Sequence, residues 1–298
     1  MTSLIEHVLS LSGIVLLLAV VLALALGYLL RPAGDLRPAG DPDGWAGRRT
    51  RLRQRFPGRF GWLVARVQPG APTGRALTAA VLTLAVSAWA LASVTFSVVH
   101  HTGIARSDPR VLAFFVSHRT PWLTGLARAL TWLGSSIVLW PVVIAAGLGL
   151  WWWRRRWLPA VLPALALAGA WAGGLLIKSL VVRPRPPSTY WLAAVHGPSF
   201  PSQHAAQALA TWGMLAFTLM AGRRVRTRVL LALGAAAIAL VVGLTRLYLA
   251  AHWLTDVLGG WALAGVWDSL LIISYLLTLW AAASPGREAR PPVRQGTA

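Results

Sequence analysis

The chain has 298 residues, of which 56% are hydrophobic and 12% are charged. Soluble domains carry roughly 25% charged residues, so this composition excludes an ordinary soluble protein and favours a membrane protein. The 17 tryptophans and 28 glycines agree, because tryptophan concentrates at membrane interfaces and glycine is tolerated in spanning helices. The absence of cysteine excludes disulfides and thiolate metal sites.

The formal net charge of +20 has a similar explanation. In a soluble protein it would suggest nucleic-acid binding. Here the cations form short clusters between apolar runs, which is the pattern that the positive-inside rule of membrane proteins produces. We therefore expect membrane lipids as partners and no nucleic acid.

Apolar stretches of about 18 or more residues predict spanning helices. The chain contains seven candidates: residues 8–30, 76–99, 135–153, 158–177, 205–221, 229–244 and 253–282. The segment 110–133 is amphipathic and is interrupted by Pro121, which predicts two short interfacial helices rather than a span. The predicted fold is an all-α, polytopic membrane helical bundle, with a six-span core and one extra N-terminal spanning helix.

Residues 1–75 are predicted to form a spanning helix and a basic cytoplasmic linker. The head of the first apolar run lacks Lys and Arg and contains Glu6, whereas a cleavable signal peptide starts with positive charge, so we expect a retained helix. The linker 31–75 begins with the Pro, Gly and Arg of a flexible segment. Its second half either contacts anionic headgroups or is a solvated loop. Residues 76–283 form the predicted membrane domain, and 284–298 a flexible basic tail.

Arginine is distributed unequally between the two sides of the predicted membrane domain. With seven spans, twenty arginines fall on one side and seven on the other, together with Lys178. Cytoplasmic loops carry the excess of positive charge, so the amino terminus and the region 178–204 are predicted to face outward. The expected location is the plasma (inner) membrane of a bacterium, as a multi-pass protein.

Three polar clusters lie at the outward ends of the later spans. The first contains Lys178 and Arg185, at the end of the fourth span. The second is Phe-Pro-Ser-Gln-His, residues 200–204, and the third is the segment 245–256 between the last two spans. Lys178 is the one lysine among 28 cationic residues, and Arg183 and Arg185 follow it closely. Because the clusters share one membrane edge, folding can bring them together.

The residue types in these clusters suit phosphate chemistry. The cations Lys178, Arg185 and Arg246 can surround a phosphate dianion, because arginine offers a planar fork and lysine a compact point charge. Ser202 adds a hydroxyl, and the start of the fifth span adds backbone N–H groups.

Two histidines add proton-transfer and nucleophilic chemistry. His252 and Asp256 are four residues apart, so the carboxylate can hold one imidazole nitrogen and leave the other as a nucleophile. His204 supplies a second imidazole for proton transfer. Two histidines and one carboxylate among three cations would repel a divalent ion, so we expect neither a metal nor another cofactor. Asp268, near the middle of the last span, needs an internal partner but is assigned no role.

The spacing of these residues resembles three signatures of the type-2 phosphatidic acid phosphatase superfamily. The matching residues are, in chain order, Lys178 and Arg185-Pro186 in the first, 201–204 in the second, and Thr245-Arg246, His252 and Asp256 in the third. The second signature is usually Pro-Ser-Gly-His and the third usually begins Ser-Arg. The resemblance covers roughly residues 76–282. It implies an outward active site that cleaves phosphate monoesters or diphosphates of lipids.

The resemblance also implies a role for each residue. His252 would attack phosphorus and carry a phosphohistidine, Asp256 would orient it, and His204 would protonate the leaving oxygen and then activate water. The phosphoryl oxygens would be held by the remaining site residues, which are Lys178, Arg185, Ser202, Gln203 and Arg246.

Two residues depart from the family pattern. Thr245 replaces the usual Ser and keeps a hydroxyl. Gln203 replaces the usual Gly, so a side chain is expected at the phosphate site, and it would be strained if its φ were positive. Neither departure removes a catalytic group, so activity is expected.

The resemblance leaves the substrate open among a polyprenyl diphosphate, phosphatidic acid and phosphatidylglycerophosphate. Soluble superfamily relatives bind vanadate and oxidise halides, but this chain is embedded. The alternative is a catalytically impaired lipid-binding or transport-related scaffold of the same fold, against which the intact Lys178, His204 and His252 argue. The oligomeric state stays open.

Overall fold

The computed structural model describes residues 74–283. The predicted span 8–30, the linker and the tail 284–298 lie outside the described residues. Within 74–283 the chain forms eight α-helices and no strand. These are α1 (Gly74–Val99), α2 (Asp108–Ser117), α3 (Pro121–Leu130), α4 (Ser136–Arg154), α5 (Trp157–Leu180), α6 (Gln203–Met220), α7 (Val225–Tyr248) and α8 (Leu254–Ala283). Short 3₁₀ helices cover Gly103–Ser107, Thr131–Gly134 and Ser188–Tyr190.

The predicted all-α membrane fold is confirmed. Five helices of the described part, α1, α4, α5, α7 and α8, are long and apolar enough to cross a membrane. The remaining predicted core span corresponds to α6, which is less apolar because it carries buried polar residues such as Gln207 and Thr211. It packs against α5, α7 and α8. The chain is thus an integral, multi-pass membrane protein.

The amphipathic segment also folds as predicted, into two short helices, α2 and α3. Pro121 occupies the first turn of α3, where its missing N–H costs no hydrogen bond. Thr120 precedes it in an extended conformation and accepts a hydrogen bond from the backbone N–H of Leu123 at 3.4 Å. Thr120 therefore caps α3 and fixes the break between the two helices.

Small residues hold the central helices together. Ala166 and Ala170 of α5 pack with Ala206 of α6 and Ala264 of α8, and all four are fully buried. Small side chains let helix backbones approach closely in a membrane, where close packing replaces the hydrophobic effect as the source of association. This packing brings the ends of α5, α6 and α8 together, and the predicted site residues lie at these ends.

Candidate active site

Helix ends position most of the predicted site residues, and Arg185 lies in the segment between α5 and α6. Lys178 lies in the last turn of α5 and Arg246 in the last turn of α7. Ser202 precedes α6, and His252 precedes α8. Backbone hydrogen bonds join these ends: the Ser202 N–H donates to the Asp256 carbonyl at 2.8 Å, and the His252 N–H donates to the Arg246 carbonyl at 3.3 Å. The motifs that are distant in sequence therefore meet at one end of the bundle.

His252 is held between a carboxylate and a guanidinium. Its Nδ1 lies 3.3 Å from Asp256 Oδ2, and its Nε2 lies 3.3 Å from Arg185 Nη1. Burial lowers the pKa of His252 to about 3, although Asp256 opposes that shift. The imidazole is therefore neutral, with Nδ1–H donated to Asp256 and the Nε2 lone pair directed towards Arg185.

Backbone carbonyls hold Arg185 in place. Its guanidinium donates to four of them, those of His196, Gly197, Pro198 and Ala251, at distances from 2.6 to 3.3 Å. Because none of these partners is a carboxylate, the positive charge of Arg185 remains available to an anion.

Lys178 binds to the same stretch of backbone as Arg185. Its Nζ donates to the Pro198 carbonyl at 2.7 Å and lies 3.3 Å from the Ser199 carbonyl. An ammonium has three N–H groups, so one is left for an oxygen of a ligand. Arg185 also donates to the Pro198 carbonyl, so the two cations are neighbours.

Two further donors face the site without full hydrogen bonding. The Ser202 hydroxyl is buried and has no hydrogen-bond partner within residues 74–283. Arg246 is buried and donates from Nη1 to Thr131 Oγ1 at 2.9 Å, whereas its Nε has no partner in that range. Buried polar groups are normally paired, so these donors are free to bind a ligand that enters the site. The Thr245 hydroxyl, by contrast, donates to the Val242 carbonyl within α7 at 2.7 Å.

His204 is the second residue of α6. The charges of Lys178, Arg185 and Arg246 and the imidazole of His252 all act on its ring. No hydrogen bond of the His204 side chain occurs in the part of the chain that the structure describes. The ring is thus near the other site residues and is not committed to a protein partner.

The Gln203 side chain does not lie where the sequence predicts it. Residues with positive φ other than glycine are, within 74–283, His101, Arg155 and Ala250, so Gln203 is not strained. Its Nε2 donates to the Trp171 carbonyl of α5 at 2.8 Å. A methyl group at Gly174 would collide with the Gln203 carboxamide, so this glycine makes room for it. The side chain lies against α5, and the start of α6 keeps its backbone N–H.

A second network, which sequence reasoning missed, lies behind His252. Arg183 donates from Nη1 to Asp256 Oδ1 and from Nη2 to Asp108 Oδ2, both at 2.6 Å. Thr255 donates to Asp108 from its backbone N–H and its hydroxyl. The scarcity of acidic residues is the signal that could have indicated this network. The chain has only eight of them, and Asp108 is one of the few outside the basic segments.

Asp268, by contrast, is not brought into the site. It lies three turns further along α8 than Asp256, and its Oδ1 is buried without a hydrogen-bond partner in the described part of the chain. The internal partner expected for it is not found among residues 74–283.

The site lies within the region that known proteins match. The sequence profile of the PAP2 superfamily matches residues 157–280. Phosphatidylglycerophosphatase B of Bacillus subtilis (strain 168) is 29% identical over 169 residues, which cover 55% of this chain and 81% of that protein. The crystal structure of a transmembrane PAP2 type phosphatidylglycerolphosphate phosphatase from Bacillus subtilis has a TM-score of 0.57 and 26% identity, and the match covers 70% of this chain and 98% of that one. This integral-membrane chain is therefore similar to the PAP2 superfamily over residues 157–280, which contain the predicted site residues.

Proposed function

We propose that the protein is a membrane lipid phosphatase that cleaves phosphate monoesters or diphosphates through a phosphohistidine at His252. The observation that carries the proposal is the placement of a neutral His252, with Nδ1 at Asp256 and Nε2 at Arg185. A nucleophilic imidazole needs an unprotonated nitrogen, a group that fixes its tautomer, and a cation where the phosphate binds. The three requirements are met by neighbouring side chains.

The surrounding donors favour phosphate as the ligand. Lys178, Arg185 and Arg246 contribute positive charge, and the Ser202 hydroxyl and the start of α6 contribute uncharged donors. Such preorganised donors stabilise the charge that develops on the phosphoryl oxygens in the transition state. We expect no requirement for a divalent cation, because these side chains already supply positive charge where one would bind.

The reaction has two steps in this proposal. His252 Nε2 forms a bond to phosphorus, the bond from phosphorus to the lipid oxygen breaks, and that oxygen takes a proton from His204. Water then attacks the phosphohistidine and gives its proton to His204, and inorganic phosphate leaves. The negative charge of bound phosphate offsets the cations around His204, so substrate binding favours the protonated imidazole that the first step needs.

The membrane location and the relatives support a phosphorylated lipid as the substrate. Both relatives are named for phosphatidylglycerophosphate. We therefore place this lipid beside phosphatidic acid and a polyprenyl diphosphate as the candidate substrates. All three present a terminal phosphoryl group on an oxygen leaving group, which is what the His252 and His204 pair requires.

A phosphate-release assay tests the proposal. The full chain, purified in detergent, is given each of the three lipids with EDTA present, beside the His252→Ala variant. We expect release from at least one lipid by the wild type and none by the variant. If the wild type releases no phosphate from any of them, with or without Mg²⁺, the protein is instead a lipid-binding scaffold of this fold.

The proposed site faces away from the cytoplasm, in the plasma membrane of a bacterium. Because the chain has no cysteine, single cysteines can report its topology. In intact cells, cysteines replacing Ser3 or Ser188 should react with a membrane-impermeant maleimide, and a cysteine replacing Ser284 should not. Reaction only of the cysteine that replaces Ser284 would show that the orientation is the opposite of the proposed one.

A further inference from the structure

We propose that Arg183 is a positioning residue, which together with Asp108 holds the Asp256 carboxylate in the orientation that His252 needs. This role rests on the proposed phosphohistidine function. The first signature resembles the family through Lys178 and Arg185, and Arg183 lies between them without a role of its own. The structure assigns it one through contacts that are shorter than those of His252 itself.

The two carboxylate oxygens of Asp256 contact different partners. Oδ2 faces His252 Nδ1 at 3.3 Å and accepts the Trp253 N–H at 2.9 Å. Oδ1 accepts from Arg183 Nη1 at 2.6 Å, and the Ser199 hydroxyl lies 3.4 Å away. The short bond at Oδ1 therefore fixes the carboxylate plane, and with it the direction of the lone pairs that receive the imidazole N–H.

Asp108 holds the other end of the guanidinium. Its Oδ2 accepts from Arg183 Nη2 at 2.6 Å and from the Thr255 hydroxyl at 2.6 Å, and its Oδ1 accepts the Thr255 N–H at 3.0 Å. The last bond satisfies a backbone donor in the first turn of α8. Asp108 begins α2, so this short helix outside the predicted signatures connects directly to the start of the helix that carries Asp256.

Charge balance explains why the bridge is an arginine. Asp108 and Asp256 are buried, with side chains 2% and 0% exposed, and Arg183 is 11% exposed. Two buried carboxylates without a cation between them would repel each other, and each buried charge would be left uncompensated. A planar guanidinium can donate to both at once, whereas a single ammonium cannot reproduce the fork. The guanidinium carbon of Arg183 also lies 5.6 Å from the centroid of the Trp253 ring.

The test combines steady-state kinetics with charge-matched variants of the full chain. For Arg183→Gln we expect kcat to fall about 10²-fold while KM stays within about threefold, because the nucleophile is misplaced but the phosphate ligands are not. Adding Asp108→Asn should raise kcat about tenfold above that of Arg183→Gln, because it removes the second carboxylate. If Arg183 were only a structural brace, the loss of kcat in the double variant would combine the separate losses of Arg183→Gln and Asp108→Asn. The exposed Arg226, changed to Gln, is the matched control and should keep kcat.

A spectroscopic measurement separates this role from the proposed function. The Nδ1–H proton of His252, assigned by its loss in His252→Ala, should resonate far downfield in the wild type and be shifted or lost in Arg183→Gln. If the wild type proves inactive, the phosphatase proposal fails and this resonance alone decides the role of Arg183. An unchanged resonance in Arg183→Gln, or a kcat within about twofold of wild type, would overturn the inference. If Arg183→Gln cannot be expressed as a folded protein, Arg183→Lys replaces it in the test, and we expect its kcat to fall about tenfold.

Discussion

The two ends of α5 are built from different interactions. At its first turn, Ala160 meets Gly147 of α4, where a methyl group on the glycine would lie 2.9 Å from the Ala160 carbonyl oxygen. At its last turn, Lys178 donates hydrogen bonds to the loop that also holds Arg185. About 27 Å of helix separates the two ends. One end is stabilised by close backbone approach, the other by hydrogen bonds that charged side chains donate to backbone carbonyls.

This difference predicts two classes of variant. At the Ala160 end, added volume should change stability and leave turnover unchanged. At the Lys178 end, a change of hydrogen-bonding group should alter turnover while the small-residue packing of Ala166 and Ala170 keeps the fold. Measurements of turnover and of thermal stability separate the two classes.

The largest effect is expected for His252→Ala. Phosphate release should fall by at least about three orders of magnitude, because no other side chain in the site can replace the nucleophile. The purified variant should elute as wild type does in size-exclusion chromatography. Substantial turnover by this variant would exclude His252 as the nucleophile.

Lys178→Arg comes next. The Lys178 ammonium fits between two carbonyls at 2.7 and 3.3 Å, and the broader guanidinium cannot occupy that place. We expect kcat/KM to fall about 10²-fold, or ~3 kcal/mol of transition-state stabilisation, with normal membrane insertion. Arg226→Lys, at an exposed position, is the control and should match wild type. Equal activity of Lys178→Arg and wild type would make this lysine an interfacial anchor.

At the other end of α5, Gly147→Ala should lower stability by about 1–3 kcal/mol, because the new methyl group forces α4 and α5 apart. Gly149→Ala is the matched control on the same helix, with open space around its methyl group, and should not destabilise. Thermal unfolding in detergent measures both. The kcat of each folded variant should stay within about twofold of wild type. A large loss of kcat in Gly147→Ala would show that the two ends are coupled.

The smallest effect is expected from pH. A His252 with a pKa of about 3 stays neutral on acidification and loses its nucleophilic form only as the pH falls towards that value. With p-nitrophenyl phosphate, whose leaving group needs no proton, kcat/KM should change less than about twofold between pH 7.5 and 5.5. An ordinary imidazole would lose about tenfold over this range. A tenfold loss would mean that His252 is not buried as described.

Local patterns sufficed to predict the helices and the candidate catalytic residues. Apolar run length predicted the helices of the core, and the four-residue spacing of His252 and Asp256 predicted their contact, although His252 lies just before α8. Both are properties of contiguous sequence. The break at Pro121, which separates α2 from α3, was predictable for the same reason.

Contacts between distant segments were not predictable in this way. Arg183 looked like one more cation of the first cluster, and nothing near Asp108 in the sequence indicated that it lies beside Thr255. The direction of the Gln203 side chain likewise depends on the space left by Gly174 in another helix. Such pairings depend on how the helices assemble, and spacing within one segment contains no information about them.

The proposed phosphohistidine at His252 is tested most directly by trapping it. In His204→Ala, p-nitrophenyl phosphate should still phosphorylate the enzyme, because its leaving group needs no acid, but water attack should be slow. After an alkaline quench and proteolysis, mass spectrometry should find phosphate on the peptide that contains His252, and none in the His204→Ala/His252→Ala double variant. Phosphate on another residue, or continued wild-type turnover without any phosphorylated histidine, would exclude His252 as the nucleophile.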